Sequence, residues 1–369
     1  MRILVLNSGS ATIKYRLLDL ARSAVVAGGM VEEMGDHRDG LNRIVSSLSG
    51  EKIDAIGHRV VHGGDRFREP VVLTDSVIEN LRMLNPLAPL HNPANLLGIE
   101  RAREVWPNAP QVAVFDTAFH HTLPPPAFTY AIPEALARRH GIRRYGFHGI
   151  SHASVARRSA ALLGRPLESI NLISLHLGNG ASATAIRDGR SVDTSMGLTP
   201  LEGLVMGTRS GDLDPAIIPF LARSTGAGID EIERILIRES GLHGLAGTND
   251  MRELEKRARE GDARARLAID VFSYRLKKYV GAYAAVLGRL DAVAFTGGIG
   301  EHSALIRELC LRDLTLLGIA LDDDKNRSDA TGEREIGAGA VRVLVIPADE
   351  ELEIATRTAA CLEGPRQNT

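Results

Sequence analysis

The sequence contains one strand–turn–strand pattern twice, and this repetition limits the folds that the chain can adopt. The first copy, Ile3–Lys14, is an apolar run, a turn of small polar residues and a second β-prone run. The second copy, Asn171–Ser182, has the same plan and continues through Ile186. Two units of one design predict two domains of similar architecture. Two unrelated hairpins with small turn residues are the alternative.

Short apolar runs alternate with helical patterns along the rest of the chain, which predicts an α/β fold. Helix starts are expected at Asn92-Pro93 and Asp214-Pro215, where a capping side chain precedes a proline. The longest helical pattern runs from Asp262 to Leu290, and Gly281 and Gly288 could divide it. The predicted strands are Ile3–Leu6, Ala55–Val61, Gln111–Phe115, Leu172–Leu177, Ala292–Thr296 and Val341–Ile346.

Composition excludes several classes of protein. Hydrophobic residues make up 44% of the chain, and the formal net charge of -2 gives no global attraction to nucleic acid or to an acidic membrane. Cys310 and Cys361 lack the spacing of a disulfide framework or a thiolate zinc site. The apolar run Ile3–Leu6 is too short for a signal peptide, and no segment is long enough to span a bilayer. We therefore expect a cytoplasmic protein with no nucleic-acid or membrane partner.

Small residues at the turns of the repeated units let backbone N–H groups approach phosphate oxygens. Asn7, Ser10, Thr12 and Lys14 add side-chain donors and a cation at the first turn. The glycine-rich run Thr296–Glu301 follows an apolar strand and precedes a helical pattern, which suits a nucleotide. Neither a Walker A loop nor a GxGxxG fingerprint is present. A plain hairpin and a tight α/β connection are the structural alternatives.

Two arginines lie near glycines and other polar residues. Arg209, within Met206–Pro215, could clamp phosphate oxygens with its planar fork, unless this segment is only a charged surface loop. Arg59 lies in the segment His58–Gly64, in which two glycines follow a predicted strand. The alternation of side chains along that strand places Arg59 and Val61 on one face. An arginine paired for structural reasons is the alternative for Arg59.

The histidines raise a zinc alternative. His58 and His62 are four residues apart, as are His148 and His152, but no HExxH motif occurs. In a strand this spacing separates the side chains by roughly 13 Å, too far for one shared ion. The second pair is expected to bridge a turn and a helix capped by Ser151. Phosphate chemistry is therefore favoured over a zinc hydrolase.

Together these motifs resemble those of the acetate kinase family, part of the superfamily that also holds actin, the heat-shock ATPases and the sugar kinases. The resemblance extends from Met1 to about Thr358, and the motifs occur in the family's order. They are Asn7–Lys14, His58–Gly64, Leu90–Pro93, Phe115–His120, Tyr145–His148, His176–Gly180, Asp193–Gly197, Met206–Pro215, Gly298–Glu301 and Glu350–Leu352.

The resemblance implies two duplicated actin-like (ribonuclease-H-like) domains with an active-site cleft between them. Residues 1–118 plus 352–369 would form the N-terminal domain, and residues 119–351 the nucleotide-binding domain. It also implies a homodimer that transfers a phosphoryl group reversibly and in line from ATP to acetate, giving acetyl phosphate and ADP. Mg²⁺ would be the cofactor, with Mn²⁺ as a substitute. Propionate kinase and an actin-like ATP-binding switch are the competing functions.

Site residues follow from the resemblance, motif by motif. The catalytic residues would be Arg59, Asp116, His148 and Arg209, with Arg59 facing the acceptor carboxylate. Asn7 and Glu350 would hold the metal ion. The apolar pocket for the acyl methyl group would be formed by Val61, Leu90, Phe147 and Pro200. The nucleotide would be bound by Lys14, His176, Leu177, Gly178, Asn179, Gly180, Asp250, Met251, Arg252, Gly298, Ile299, Gly300, Glu301 and His302.

A carboxylate acceptor has a pKa of roughly 4–5, so it is already ionised at pH 7 and needs no general base. We therefore expect Asp116 to orient an arginine or a metal-bound water rather than to accept a proton. The chain departs from the family's pattern in four places. The segment between Leu20 and Glu51 is shorter than usual, and Thr12 stands where serine is common, which keeps the hydroxyl. His302 replaces an asparagine, and Ala348-Asp349 replaces a Thr-Asn pair. The last change adds a carboxylate beside Glu350.

Overall fold

The computed structural model describes residues 1–9, 12–32, 37–89 and 91–364. Contacts divide the chain into two compact units. The first unit comprises Met1–His121, Phe147–Ser154 and Asp349–Thr369, and the second comprises Thr122–Gly146 and Val155–Ala348. These units are defined by contacts, and the domain ranges expected from the sequence remain a prediction. Within the described residues, no helix combines the length and the apolar character that crossing a membrane requires.

Each unit contains a six-stranded sheet. In the first unit the strands are β1 (Arg2–Ser8), β2 (Thr12–Asp19), β3 (Ala24–Glu32), β4 (Ala55–Val60), β5 (Val71–Val72) and β6 (Gln111–Phe115). In the second unit they are β7 (Asn171–Leu177), β8 (Ala181–Arg187), β9 (Arg190–Thr194), β10 (Ala292–Thr296), β11 (Arg334–Glu335) and β12 (Arg342–Val345).

The two sheets have the same topology. The first has the order β3-β2-β1-β4-β6-β5 and the second, read from its other edge, β9-β8-β7-β10-β12-β11. In both, an antiparallel meander of three strands is followed by two strands parallel to the first and by one antiparallel edge strand. The predicted α/β class and the repetition of one design are therefore confirmed.

Helices connect and cover the strands. They are α1 (His37–Ser47), α2 (Asp75–Arg82), α3 (Asn92–Val105), α4 (Pro125–Phe128), α5 (Glu134–His140), α6 (Gly149–Leu162), α7 (Ile217–Thr225), α8 (Ile229–Arg238), α9 (Gly241–Ala246), α10 (Met251–Arg259), α11 (Ala263–Leu287), α12 (Gly297–His302), α13 (Ala304–Leu311), α14 (Asp323–Arg327) and α15 (Glu350–Glu363).

Two predicted N-caps were wrong, and for one of them the structure shows another role of the side chain. Asn92 is the first residue of α3, and its side chain bonds the backbone N–H and C=O of His62 instead. Ser151 lies inside α6 and does not cap it. Helix α11 is capped by Asp262 and is not divided at Gly281. It ends at Leu287, because the next residue, Gly288, has a φ of 71°, which lies outside the helical range.

Strand alternation distributes the core of the first unit over both faces of its sheet. Ile3 and Val5 of β1 pack against Ile354 and Ala355 of α15, whereas Leu4 and Leu6 pack against α1 on the other face. Residues of β4 likewise alternate between the two faces of the sheet. Gly57 of β4 lies under α15, where a Cβ atom would meet Thr358.

Gly57→Ala should therefore destabilise the first unit. The added Cβ would lie 2.5 Å from Oγ1 of Thr358 and 2.9 Å from Cγ2 of Ile354, and such overpacking typically costs about 1–3 kcal/mol. Gly281→Ala is the matched control, since no atom outside its own helix lies within 4 Å of the new Cβ. Urea unfolding should show a lower midpoint for Gly57→Ala only. A wild-type midpoint for Gly57→Ala would contradict the close approach of α15 to β4.

Candidate active site

Three predicted site residues lie on the α15 face of the first sheet because of strand parity. In β1 and β4, Asn7 and Arg59 have the same parity as Ile3, Val5 and Ala55, which pack against α15. Asp116 directly follows β6 and has the parity of Val112 and Val114. Since β1, β4 and β6 are parallel, their carboxyl ends meet at one edge of the sheet.

The strongest contact among these residues is a bidentate ion pair. Arg59 Nη2 donates to Asp116 Oδ2 at 2.5 Å, and Arg59 Nε donates to Asp116 Oδ1 at 3.1 Å. Asp116 is 2% exposed. Burial by itself lowers the pKa of Arg59, but the charges of Asp116 and Glu350 outweigh it and raise that pKa. Arg59 is therefore a permanent cation with one side of its fork already fixed.

Asn7 and Glu350 flank the same guanidinium group. Asn7 Oδ1 accepts a hydrogen bond from Arg59 Nη1 at 3.4 Å, and Glu350 Oε2 lies 3.9 Å from Arg59 Nε. Both offer hard oxygen atoms, the donor type that Mg²⁺ prefers when water and nucleotide complete its coordination. The predicted pair of ligands therefore fits such an ion. Lys14 is exposed and lies opposite Asn7 in the register of β1 and β2.

His148 is held in a strained backbone conformation next to Asp116. Its φ is 57°, in the left-handed region that few residues other than glycine adopt. The following N–H, of Gly149, donates to the carbonyl of Asp116 at 2.8 Å, and a Cβ atom on Gly149 would lie 2.2 Å from that oxygen. The hydrogen bond of Gly149 thus ties the His148 backbone to Asp116 at the end of β6, and such contacts maintain the strained conformation.

Two residues of the predicted acyl pocket, Val61 and Phe147, belong to the first unit. Both are buried, and the ring of Phe147 packs edge-on against His62 at a centroid distance of 5.5 Å. The N–H of Val61 donates to Asn95 Oδ1 at 3.0 Å, a contact that the sequence did not predict. Leu90 lies outside the described residues, and Pro200 belongs to the second unit.

In the second unit the predicted phosphate turn joins β7 to β8. The N–H of Gly178 donates to the carbonyl of Gly180 at 3.0 Å. The loop that carries Arg209 packs against this turn, since the N–H of Gly207 donates to the carbonyl of Asn179 at 2.9 Å. A Cβ atom on Gly207 would lie 2.0 Å from Asn179 Oδ1, so a larger residue there would displace the Asn179 side chain. The structure therefore brings the predicted His176–Gly180 and Met206–Pro215 motifs together.

Arg209 has few partners for a partly buried cation. Its Nη1 donates to the carbonyl of Pro200 at 2.9 Å and lies 3.6 Å from Sδ of Met206. Among the described residues no carboxylate pairs with it, and its Nε and Nη2 have no acceptor. Burial lowers its pKa below the usual arginine value. A partly buried guanidinium with two nitrogens still available is suited to bind an anion.

The glycine-rich run forms the short helix α12 directly after β10. Gly297 has a φ of 77°, and a Cβ there would lie 2.7 Å from the carbonyl of Leu177, so this glycine lets α12 approach the end of β7. Gly298 has open space around it, and His302, which replaces the expected asparagine, is exposed. The predicted nucleotide residues 176–180 and 298–302 therefore share one edge of the second sheet, where Thr296 pairs with His176.

Asp250 and Arg252 lie at the start of α10. Asp250 caps the helix by accepting from the N–H of Arg252 at 2.9 Å and also accepts from the Arg252 side chain, which lowers the pKa of Asp250 to about 2. Met251 is buried. Asn249 Nδ2 donates to Asn179 Oδ1 at 2.9 Å, which connects this helix start to the phosphate turn.

The additional carboxylate at Asp349 is neutralised locally, which the sequence did not predict. Arg16 Nη1 lies 2.7 Å from Asp349 Oδ1 and 3.8 Å from Glu351 Oε2. Asp349 also caps α15 by accepting from the N–H of Leu352 at 3.2 Å. The partners are 333 residues apart in sequence, so no local pattern could have indicated the pair.

A family model and curated relatives both match nearly the whole chain, and both point to one family. A family model described as the acetokinase family matches residues 30–356. The acetate kinase of Streptomyces griseus is 52% identical, over 99% of this chain and 98% of its own length. That of Syntrophobacter fumaroxidans is 48% identical, over 97% of this chain and 96% of its own length.

Solved structures of kinases for short carboxylates are also similar to this chain over nearly its whole length. The crystal structure of Porphyromonas gingivalis acetate kinase has a TM-score of 0.94 and 41% identity, covering 98% of this chain and 99% of its own. A propionate kinase from Francisella tularensis has a TM-score of 0.93 and 42% identity, covering 97% of this chain and 99% of its own. The chain belongs to the acetokinase family.

Proposed function

We propose that the protein is an acetate kinase, which transfers the γ-phosphoryl group of ATP reversibly to acetate and so forms acetyl phosphate and ADP. The observation that carries this proposal is the state of Arg209. It is a partly buried cation whose Nε and Nη2 have no acceptor among the described residues, on a loop that packs against a glycine turn. Such a group suits the transferring phosphoryl, whose charge must be stabilised during the reaction.

The main obstacle to this reaction is the approach of one anion to another. The acetate carboxylate is ionised at neutral pH, so positive charge and alignment matter more than a base. Arg59 is assigned to the acceptor carboxylate, and Asp116 holds its guanidinium in one orientation through two hydrogen bonds. Arg209 is assigned to the phosphoryl group, and His148 donates to one of its equatorial oxygens. Transfer is direct and in line.

The nucleotide is assigned to the second unit. Backbone N–H groups of the turn His176–Gly180 face the phosphates in this proposal, with Lys14 of the first unit adding positive charge. Residues 250–252 and 298–302 bind the adenosine side. Asn7 and Glu350 would hold Mg²⁺, or Mn²⁺ in its place, and the ion would neutralise phosphate charge when bound.

The acyl pocket is assigned to Val61, Phe147, Leu90 and Pro200. Propionate kinase is the second candidate, because a propionate kinase structure is as similar to this chain as an acetate kinase structure is. One methylene group changes binding by only about 1–3 kcal/mol. A homodimer in the cytoplasm stays a prediction that the family resemblance carries.

The first prediction concerns the reaction itself. Purified protein with ATP, Mg²⁺ and acetate should form acyl phosphate, which hydroxylamine traps as a coloured hydroxamate. Formate, propionate and butyrate are tested in parallel, and acetate should give the highest kcat/KM. A higher value for propionate would replace acetate kinase by propionate kinase, and no hydroxamate with any of the four acids would refute the kinase proposal.

The second prediction separates the two arginines. Arg209→Lys keeps the charge but loses the planar fork, so kcat should fall by about 10²–10³-fold. Arg59→Lys should raise the KM for acetate more than the KM for ATP, since its proposed contact is with the acceptor. The control is Arg138→Lys, since Arg138 is exposed and pairs with Glu134. This substitution should leave kcat and both KM values unchanged. Normal kcat in Arg209→Lys would remove Arg209 from the phosphoryl site.

The third prediction concerns the role of Asp116. If it only positions Arg59, Asp116→Asn lowers kcat strongly, and the pH–rate profiles of mutant and wild type stay parallel. A required base would give the wild type a rate that rises with pH through a carboxylate pKa of about 4, and the mutant would lose that limb. Asp291→Asn, which removes the carboxylate of the Arg165–Asp291 pair, controls for the loss of an ion pair. Circular dichroism checks folding, because Arg59 loses a charged partner.

A further inference from the structure

The position of Arg209 depends on a neighbouring turn of the second unit. Its Nη1 donates to the carbonyl of Pro200 at 2.9 Å, and Pro200 lies in the segment Gly197–Gly203. We call this segment the Pro200 turn. Any group that fixes the Pro200 turn therefore also fixes the guanidinium of Arg209.

One arginine anchors the start of this turn. Arg144 Nη1 donates to three successive carbonyls, of Thr194, Ser195 and Met196, at 2.9, 3.0 and 3.2 Å. Its Nη2 donates to Glu202 Oε1 at 2.6 Å. Glu202 lies on the far side of Pro200, so Arg144 ties both ends of the turn together.

A tyrosine completes the connection. The hydroxyl of Tyr130 donates to Glu202 Oε2 and accepts from the N–H of Leu198 at 3.1 Å. Burial and the carboxylate of Glu202 raise the pKa of Tyr130, so its phenol keeps its proton and remains a donor. Both oxygens of Glu202 are thus used to hold the Pro200 turn.

Packing around Gly197 is close. A Cβ atom on Gly197 would lie 1.9 Å from Glu202 Oε2 and 2.1 Å from the Tyr130 hydroxyl, so a larger residue there would displace these two side chains. The base of the loop is closed separately, because Gly203 and Asp212 exchange two hydrogen bonds of 2.8 and 2.9 Å. In sequence, Arg209 lies between Gly203 and Asp212, in the loop that this pair of hydrogen bonds closes.

We propose that Glu202 is a positioning residue for Arg209, acting through Arg144 and Tyr130 on the Pro200 carbonyl. Glu202 itself touches no reacting atom in this proposal, which rests on the phosphoryl role assigned to Arg209. Loss of the carboxylate would let the Pro200 carbonyl move and would release the guanidinium from the geometry that the transition state requires.

A double-mutant cycle tests this inference. Glu202→Gln keeps the size of the side chain and should lower kcat by about 10- to 10²-fold with little change in the KM for ATP. In an Arg209→Lys background the same substitution should change kcat by less than about twofold, because the group that it positions is already lost. Equal losses in both backgrounds, or no loss in the wild-type background, would overturn the proposal. Tyr130→Phe removes one of the two contacts and should give a smaller loss.

Glu333→Gln is the matched control. Glu333 is also a half-buried carboxylate of the second unit, and its Oε1 lies 2.5 Å from Nε of Arg158, but it has no contact with the Pro200 turn. It should leave kcat unchanged in both backgrounds.

Hydrogen exchange gives a readout that does not require activity. In Glu202→Gln, but not in Glu333→Gln, exchange should accelerate at the N–H of Met206, which donates to the carbonyl of Arg209. Unchanged exchange there would overturn the inference even if the protein proved not to be a kinase. An active wild type with no effect of Glu202→Gln would instead refute the inference and leave the proposed function standing.

Discussion

The ion pair between Arg59 and Asp116 joins the ends of two parallel strands, and the other predicted polar residues of the first unit lie around it. A buried pair costs desolvation energy that its attraction does not always recover. Its value here is geometric, since two hydrogen bonds fix the plane of one guanidinium. Asn7 of β1 and Glu350 of α15 then approach the same guanidinium group. The backbone of His148 is tied to the same aspartate through Gly149.

Two arginines of the second unit differ in how far their donors are satisfied, and the difference supports the role proposed for Arg209. Arg307 is buried without a carboxylate, but its Nε, Nη1 and Nη2 all donate to oxygens of Gly300, Glu301 and Asn326. Burial lowers its pKa to about 10, and its donors are nevertheless satisfied. Arg209 uses only Nη1, and among the described residues nothing accepts from its remaining nitrogens. Donors that the protein itself does not use remain available for an anionic ligand, in keeping with the proposed function.

The sequence predicted the parallel-paired strands β1, β4, β6, β7, β10 and β12, because strands buried on both faces appear as continuous apolar runs. It did not predict β3, β5, β9 and β11, which are the edges of the two sheets. Edge strands are partly exposed, as Val25 and Met30 of β3 are, so their pattern resembles that of a loop. Strand parity made the grouping of Asn7, Arg59 and Asp116 predictable in principle. The roles of Asn95, Arg144 and Glu202 depend on contacts between distant segments, which no local pattern records.

The departure at Asp349 shows how such a distant contact compensates a change in charge. A carboxylate before Glu350 adds negative charge at the site assigned to a cation, yet it also stabilises the first turn of α15 as its N-cap. Arg16 of β2 lies 2.7 Å from it and cancels the added charge. The net charge beside Glu350 is therefore the same as with a neutral capping residue and no arginine partner. Asp349 thus holds the helix start to β2, while the carboxylate of Glu350 stays directed toward Arg59.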